Sequence, residues 1–313
     1  MNVIITGGNG FLGSKLAERF VLKKHKVFIL DINKKPIDKK KKYLKKVKFI
    51  KTNITSLQSL LKVKIMKNSI LLHCAGQPSA ALSYKRPMDD LEKNIIGMVN
   101  IIKFSQVKRV RKIIFASTFN VYKENLIKPK LKEEDECSPK SLYAISKLAA
   151  ENYLKLYAPH LNIKWNILRM FNIYGPGQNP KNASLGMISI FLNMARNKSN
   201  IMVKGTLKRF RDFIYVDDVI DAWYKISLDN KNYNKTYNLG SGKKTNLKQL
   251  LQTISKTLRK KIKIKVTKGT PGDFLGCYAD VEKINKDFKF RPKTDLKRGL
   301  KLFNAWLDTL NTK

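Results

Sequence analysis

The sequence predicts an α/β protein, a doubly wound parallel sheet followed by a smaller mixed α/β lobe. Three observations carry this. Short apolar runs alternate with segments whose apolar residues recur at helical spacing. A glycine-rich turn joins the first such run to the first such helix. Beyond about residue 170 the alternation yields to Pro176, Gly177, Pro180 and Gly186 and to shorter elements.

Asn2-Val3-Ile4-Ile5-Thr6 is the first strand, and Phe11, Leu12, Leu16 and Phe20 mark the helix after it. Residues 26–31 form the next strand, and 47–50 another beyond a basic loop. Residues 69–73 and 112–116 are buried-strand candidates, with a helix over 90–106 between them. Strands separated by helices imply parallel pairing. The later lobe holds helices near 187–197 and 216–228, a strand at 237–239 running into a turn, a helix from about Asn246, and an amphipathic tail over 295–310. The expected division is 1–170 and 171–313, with some chain returning to the first domain near 205–230.

Composition excludes several classes. Of 313 residues, 43% are hydrophobic and 28% charged, enough apolar material for a large core. No apolar run approaches the roughly 18 residues of a membrane helix. The chain opens directly on a strand, so neither a leader nor membrane association is expected, and the protein is read as cytoplasmic. Cys74, Cys137 and Cys277 are far apart and include no C-x-x-C, so no disulfide framework and no metal site are expected. Lys+Arg 64 against Asp+Glu 23 leaves +41. Either a polyanion partner or a solvated lysine-rich surface accounts for it. The densest run, 34–48, interleaves only Tyr43 and carries no nucleic-acid motif, which favours the second and argues against a nucleic-acid partner. Such a field still attracts small anions.

Thr6-Gly7-Gly8-Asn9-Gly10-Phe11-Leu12-Gly13 satisfies G-x-G-x-x-G at 8, 10 and 13, and G-x-x-G-x-x-G at 7, 10 and 13. Between a strand and a helix, such glycines permit a tight turn and close backbone approach to a pyrophosphate, whose charge the helix N-terminus favours. Asp31 ends the second strand, where a carboxylate accepts from ribose hydroxyls and repels a 2′-phosphate. That favours NAD over NADP, although Asp31 can also simply begin a turn, and Lys34 and Lys35 lie nearby.

Tyr143-Ala144-Ile145-Ser146-Lys147 sets a phenol and an ammonium on one helix face. The ammonium is expected to lower the phenol pKa and make it a base for a sugar hydroxyl. Ser117 and Thr118 follow a strand, at the carboxyl edge where such sheets bind ligands.

Together with 72–76 (Leu-His-Cys-Ala-Gly), 117–122 (Ser-Thr-Phe-Asn-Val-Tyr), 169–176 (Arg-Met-Phe-Asn-Ile-Tyr-Gly-Pro) and 211–219 (Arg-Asp-Phe-Ile-Tyr-Val-Asp-Asp-Val), these motifs resemble the extended short-chain dehydrogenase/reductase family. The nearest group is the NAD-dependent nucleotide-sugar epimerases and dehydratases. The resemblance spans nearly the whole chain. It implies a Rossmann domain with NAD lined by Gly7, Gly10, Phe11, Leu12, Gly13, Asp31, Asn53, Ile54 and Ala75, and a second lobe that binds a nucleotide sugar. By the same resemblance, Tyr143 is the base, Lys147 tunes it and holds the nicotinamide ribose, and Thr118 bonds the reacting hydroxyl. Asn172 and Arg211 match positions near the nucleotide phosphates, though a turn residue and a surface ion pair would explain them equally. Cys277 matches a position that gates the sugar pocket, where a small residue admits N-acetylated sugars; a buried packing cysteine is the competing reading.

Dehydratases of this group carry Asp-Glu after the catalytic Thr, whereas Phe119 and Asn120 stand here and cannot move protons near pH 7. The resemblance therefore implies epimerisation at C4 of a nucleotide sugar, a UDP-hexose or UDP-N-acetylhexosamine, through a 4-keto sugar. A 4-keto-sugar reductase or sugar dehydrogenase is the alternative, and a non-catalytic NAD(H)- or nucleic-acid-binding protein stands outside both. Departures from the pattern include Thr270 in place of a phosphate-binding Arg, Asn53 in place of Asp, Gly76 in place of Ala and Lys123 in place of Gly. Members of the family dimerise through the segments here at 90–106 and 144–157, which implies a homodimer.

Overall fold

The computed structural model describes residues 1–33, 42–178, 186–198, 200–268 and 275–311. Lys34, Lys35, Pro180, Thr270 and the stretch 271–274 lie outside these. Seven strands build the central sheet: β1 (Asn2–Thr6), β2 (Lys26–Asp31), β3 (Val47–Lys51), β4 (Ile70–His73), β5 (Lys112–Thr118), β6 (Lys164–Met170) and β7 (Lys235–Leu239). Their order is β3-β2-β1-β4-β5-β6-β7, the Rossmann arrangement with its reversal between β1 and β4. The β1–β2, β2–β3, β1–β4 and β4–β5 pairings are all parallel.

The central strands β1, β2 and β4 are nearly continuous apolar runs because both faces are covered. Val3, Ile4, Ile5, Ile70, Leu71 and Leu72 are fully buried. Helix α1 (Phe11–Leu22) covers the sheet with Leu16, Ala17, Phe20 and Val21, and burying Leu or Phe is worth about 1.5–3 kcal/mol each. Helix α2 (Gly97–Val107) adds Met98, Ile101, Ile102 and Phe104 to a core shared with Ala150, Leu154 and Ala158 of helix α3 (Leu142–His160).

The helix expected over 90–106 is not continuous. A turn at Pro87–Leu91 passes into a single π-helical turn, Glu92–Ile96, before α2 begins. The widened turn directs Asn94 inward, where its amide donates to Asp90 Oδ1, Gln77 O and Ser146 Oγ at 3.0–3.1 Å.

Contacts divide the chain into two units. The first comprises 1–121, 139–169 and 220–237, and the second 122–138, 170–219 and 238–313. The chain therefore enters the second unit earlier than a boundary at 170. Segment 122–138 belongs there because its strand Lys130–Leu131 pairs with Tyr278–Ala279, and Tyr122 bridges Cys137. The return to the first unit is at 220–237. The second unit has its own core, in which helices α4 (Met187–Asn197), α6 (Leu247–Leu258) and α7 (Leu296–Asn311) pack Leu192, Leu251 and Phe303. Helix α5 (Val216–Leu228) begins in the second unit and ends in the first. No helix among the described residues is long and apolar enough to cross a membrane.

Lys112 opens β5 with no exposed surface. Its Nζ donates to Ile226 O at 2.7 Å and Asp229 O at 3.4 Å, and lies 5.0 Å from the Tyr233 ring centroid. Burial pulls its pKa down to about 8, against the Asp229 carboxylate and with help from Arg111. Between there and the ordinary 10.5 the folded chain binds fewer protons at this site than the unfolded chain, so stability rises with pH across that window. Lys112→Met lacks this dependence. Its stability relative to the wild type should therefore decline as pH climbs from about 7 to about 10 in urea unfolding; a difference indifferent to pH refutes the linkage.

Candidate active site

The glycine turn lies at the carboxyl end of β1. Gly7 has φ +66°, and a Cβ there would come within 2.8 Å of the Ala75 backbone. A Cβ at Gly13 would sit 2.3 Å from Gly7 O, so only glycine lets α1 approach the turn this closely. Gly10 caps α1 with no side chain, and a Cβ there would meet only Gly7 O at 3.2 Å. The turn is thus bare backbone at a helix N-terminus, with Gly10 exposed and Phe11 and Leu12 half-buried.

Asp31 closes β2. Its Oδ2 accepts from Asn9 N at 3.0 Å and its Oδ1 from Asn33 N at 3.0 Å, so it both braces the glycine turn and begins the turn after β2. Asn9 adds a donated bond to Asn33 O, while its buried Oδ1 has no hydrogen-bond partner among the described residues. Asn53 is exposed, and its side chain accepts from Thr55 N at 3.1 Å. Ile54 is buried in the core, and its carbonyl accepts from Asn100 Nδ2 at 3.0 Å. Ala75 N donates to Thr6 Oγ1 at 3.3 Å, which in turn bonds His73 Nδ1 at 2.8 Å. A cradle without side chains, a helix N-terminus and a carboxylate one strand away fit a dinucleotide.

Thr118 ends β5, and Tyr143 lies in the first turn of α3. Ser141 caps that helix by accepting from Ala144 N at 3.2 Å, worth about 1 kcal/mol. Tyr143 is fixed at its backbone: its N–H donates to Ser83 Oγ at 3.1 Å, and its carbonyl accepts from Ser146 Oγ at 2.9 Å. Thr118 is the neighbour whose hydroxyl favours the ionised form of the Tyr143 phenol. Lys147, one turn on, is buried with Nζ 4.2 Å from the Phe115 ring centroid. The structure therefore brings Tyr143, Lys147 and Thr118 together.

The electrostatics differ from expectation in one respect. Burial pushes the Tyr143 phenol up to about 12, opposed by the Thr118 hydroxyl and reinforced by the Asp90 carboxylate. Burial also pulls Lys147 down to about 8, opposed by Cys74, Glu151 and Asp90. In the chain alone, the expected lowering of the phenol by Lys147 is not seen: burial dominates, and the opposing influence comes from Thr118.

Two groups in this region were not singled out as site residues. Glu151 extends Tyr143 and Lys147 by one further turn, an i, i+4 spacing open to view in the sequence. Asn94 had no such signal, since the π turn that aims it inward is not written in the pattern.

In the second unit, Asn172 donates from both N and Nδ2 to Asp212 O at 3.1 and 3.0 Å. Arg211 is 8% exposed, and its Nη1 donates to Phe210 O at 2.7 Å and Leu275 O at 3.1 Å. Cys277 is buried, and burial pushes its thiol up to about 12. Asp212 accepts from Ser241 N at 2.7 Å, Ser241 Oγ at 2.6 Å, Gly242 N at 2.9 Å and Ala279 N at 3.1 Å. Asn172, Arg211 and the strand just after Cys277 are thus anchored on or beside one carboxylate.

Known proteins share this architecture. A "Putative UDP-glucose 4-epimerase" of Methanocaldococcus jannaschii is 31% identical over 315 residues, 99% of each chain. The crystal structure of the Thermotoga maritima UDP-glucose 4-epimerase with UDP-glucose superposes with a TM-score of 0.91 at 28% identity, covering 99% of this chain and 100% of that one. A UDP-N-acetylglucosamine 4-epimerase of Methanobrevibacter ruminantium, in complex with UDP-N-acetylmuramic acid, gives 0.87 at 27% identity, covering 99% and 98%. The family profile matches residues 3–240, and with the cradle and the Tyr143–Lys147–Thr118 cluster in place, the chain belongs to the NAD dependent epimerase/dehydratase family.

Proposed function

We propose that this protein epimerises a UDP-hexose, or a UDP-N-acetylhexosamine, at C4. The observation that carries the reading is the juxtaposition of Thr118 with Tyr143, one helical turn from Lys147, with Phe119 and Asn120 following Thr118. The cluster has one base and no second acid–base pair, which suits oxidation and re-reduction of a hydroxyl and not elimination of water.

In this reading the amides at the start of α1 bind the cofactor pyrophosphate, and Asp31 accepts from its adenine ribose. Asn53, Ile54 and Ala75 border the cofactor. A bound oxidised nicotinamide supplies the hydride acceptor and a positive charge that favours phenolate. Tyr143 takes the proton of the sugar 4-hydroxyl, and Thr118 holds that oxygen in line. Lys147 bonds the nicotinamide ribose and keeps positive charge beside the phenolate. After the 4-keto sugar presents its other face, Tyr143 returns the proton to the same oxygen. Asn172 and Arg211 hold the nucleotide phosphates, for which the guanidinium fork is suited. A thiol at 277 in place of a bulky ring leaves room for an N-acetyl group.

We also read the protein as a homodimer acting in the cytoplasm. All three cysteines are free thiols, as in reducing compartments. The outer face of α3 carries Leu142, Ile145, Ala149, Tyr153 and Leu156, and with Val99 it lines an apolar hollow. In a chain of net charge +41, an uncharged helix face of this length suits a second copy of itself.

Purified protein should convert UDP-glucose to UDP-galactose with no cofactor added, and Tyr143→Phe should lower kcat by about 10²–10⁴-fold. Consumption of added NAD(P)H in step with product would instead identify a reductase. Turnover of UDP-glucose with none of UDP-N-acetylglucosamine would remove the role given to Cys277. Light scattering should give twice 36.0 kDa for the wild type and a single mass for Leu156→Glu; an unchanged mass on substitution places any interface elsewhere.

A further inference from the structure

Glu151 lies on α3 one turn beyond Lys147 and two beyond Tyr143. It is fully buried, and the reaction steps give it nothing to do. Its Oε1 accepts from Ser117 Oγ at 2.5 Å. Arg169 grips the same carboxylate, with Nε at 3.0 and 3.2 Å from its two oxygens and Nη2 at 2.8 Å from Oε2. Lys155 Nζ reaches Oε2 at 3.2 Å. Burial pushes this carboxyl up, but the bonds and charge of Arg169, with Lys155 and Ser117, more than offset it and hold the group below its ordinary range. It is ionised at neutral pH.

The partners define what it connects. Ser117 precedes Thr118 in β5, and Arg169 belongs to β6. One carboxylate therefore ties the helix that carries Tyr143 and Lys147 to the strand that carries Thr118 and to the next strand. The surrounding contacts of α3, through Ala150, Leu154 and Ala158, are apolar and do not fix a position along the helix axis. Directional bonds do: Tyr143 N to Ser83 and Ser146 to Asn94 tie α3 to the helical turns beside it, and Glu151 ties it to the sheet. Stability alone gives a weak account of the cluster, because a buried ion pair seldom outperforms apolar residues of the same volume.

We infer that Glu151 is a positioning residue that locks α3 in register with β5, so that Thr118 meets Tyr143. The inference rests on the reading of those three residues given above. Without the lock, a shift of α3 along β5 separates Tyr143 from Thr118.

The test uses two variants of the full chain. Glu151→Gln with Arg169→Met removes the two fully buried partners of the ion pair together, leaving Lys155 partly exposed to water. Ser117→Ala removes only the link to β5, and decides the matter if the double variant does not fold. Ile163→Val, a core change in the same unit, serves as a control for lost stability. Two quantities are read: kcat and KM for UDP-glucose, and the ¹³Cζ resonance of Tyr143 in ligand-free protein at neutral pH, assigned by its absence in Tyr143→Phe. For both variants the inference expects a displaced ¹³Cζ resonance. It expects kcat to fall by about 10–100-fold in the double variant, with KM within about threefold of wild type. Folded variants that keep the wild-type resonance and a kcat within about twofold of the control overturn it. The resonance needs no turnover. A wild type inactive on UDP-sugars would therefore sink the proposed function, while the resonance still decides the role of Glu151.

Discussion

How closely α1 can approach the sheet governs the rest of the first unit. The limit is set by two backbone contacts, Gly13 against Gly7 O and Gly7 against the Ala75 backbone. Both occur where the strand order reverses, between β1 and β4, so the chain diverges on either side and leaves the strand ends open. Any side chain at Gly13 would force α1 outward. The amide-lined cradle, the brace from Asp31 to Asn9, and the packing of Leu16 and Phe20 would move with it.

The site is polar matter inside an apolar frame. Tyr143, Lys147 and Glu151 share α3 with the buried Ala150, Leu154 and Ala158, while Asp90 and Asn94 are the buried residues of the two short turns before α2. The cost of burying such groups is offset locally: Asn94 joins Gln77, Asp90 and Ser146, and Glu151 joins Ser117 and Arg169. What burial does not offset shows in the phenol, held at about 12, and in the ammonium, held at about 8. The resting chain keeps Tyr143 protonated. A positive charge placed beside the phenol would favour its ionisation.

Much of this was legible in the residues. Apolar runs at 2–6, 26–31 and 112–116 gave strands because strands covered on both faces leave no polar alternation. The glycine spacing gave the turn because each glycine answers a steric demand that the backbone then shows. Tyr143 and Lys147 fell on one face because four residues make about one helical turn. The π turn at Glu92–Ile96 was not legible, since one extra residue in a helix leaves the apolar period nearly unchanged. Nor was the early passage of 122–138 into the second unit, which depends on pairing with a strand about 150 residues later in the chain. The direction of the phenol's pKa was misjudged for a related reason: spacing reveals that a cation is near, but not how dry the surroundings are.

Asp212 has a consequence for how recognition can vary. Its side chain secures Ser241, Gly242 and Ala279, and its main-chain oxygen secures Asn172, while Arg211 is its immediate neighbour. Loops that share a single buried anchor cannot be redrawn one at a time. Lengthening or re-angling any of them would drag the others. Side-chain tips on these loops can therefore vary readily, while the backbone scaffold beneath them stays effectively frozen.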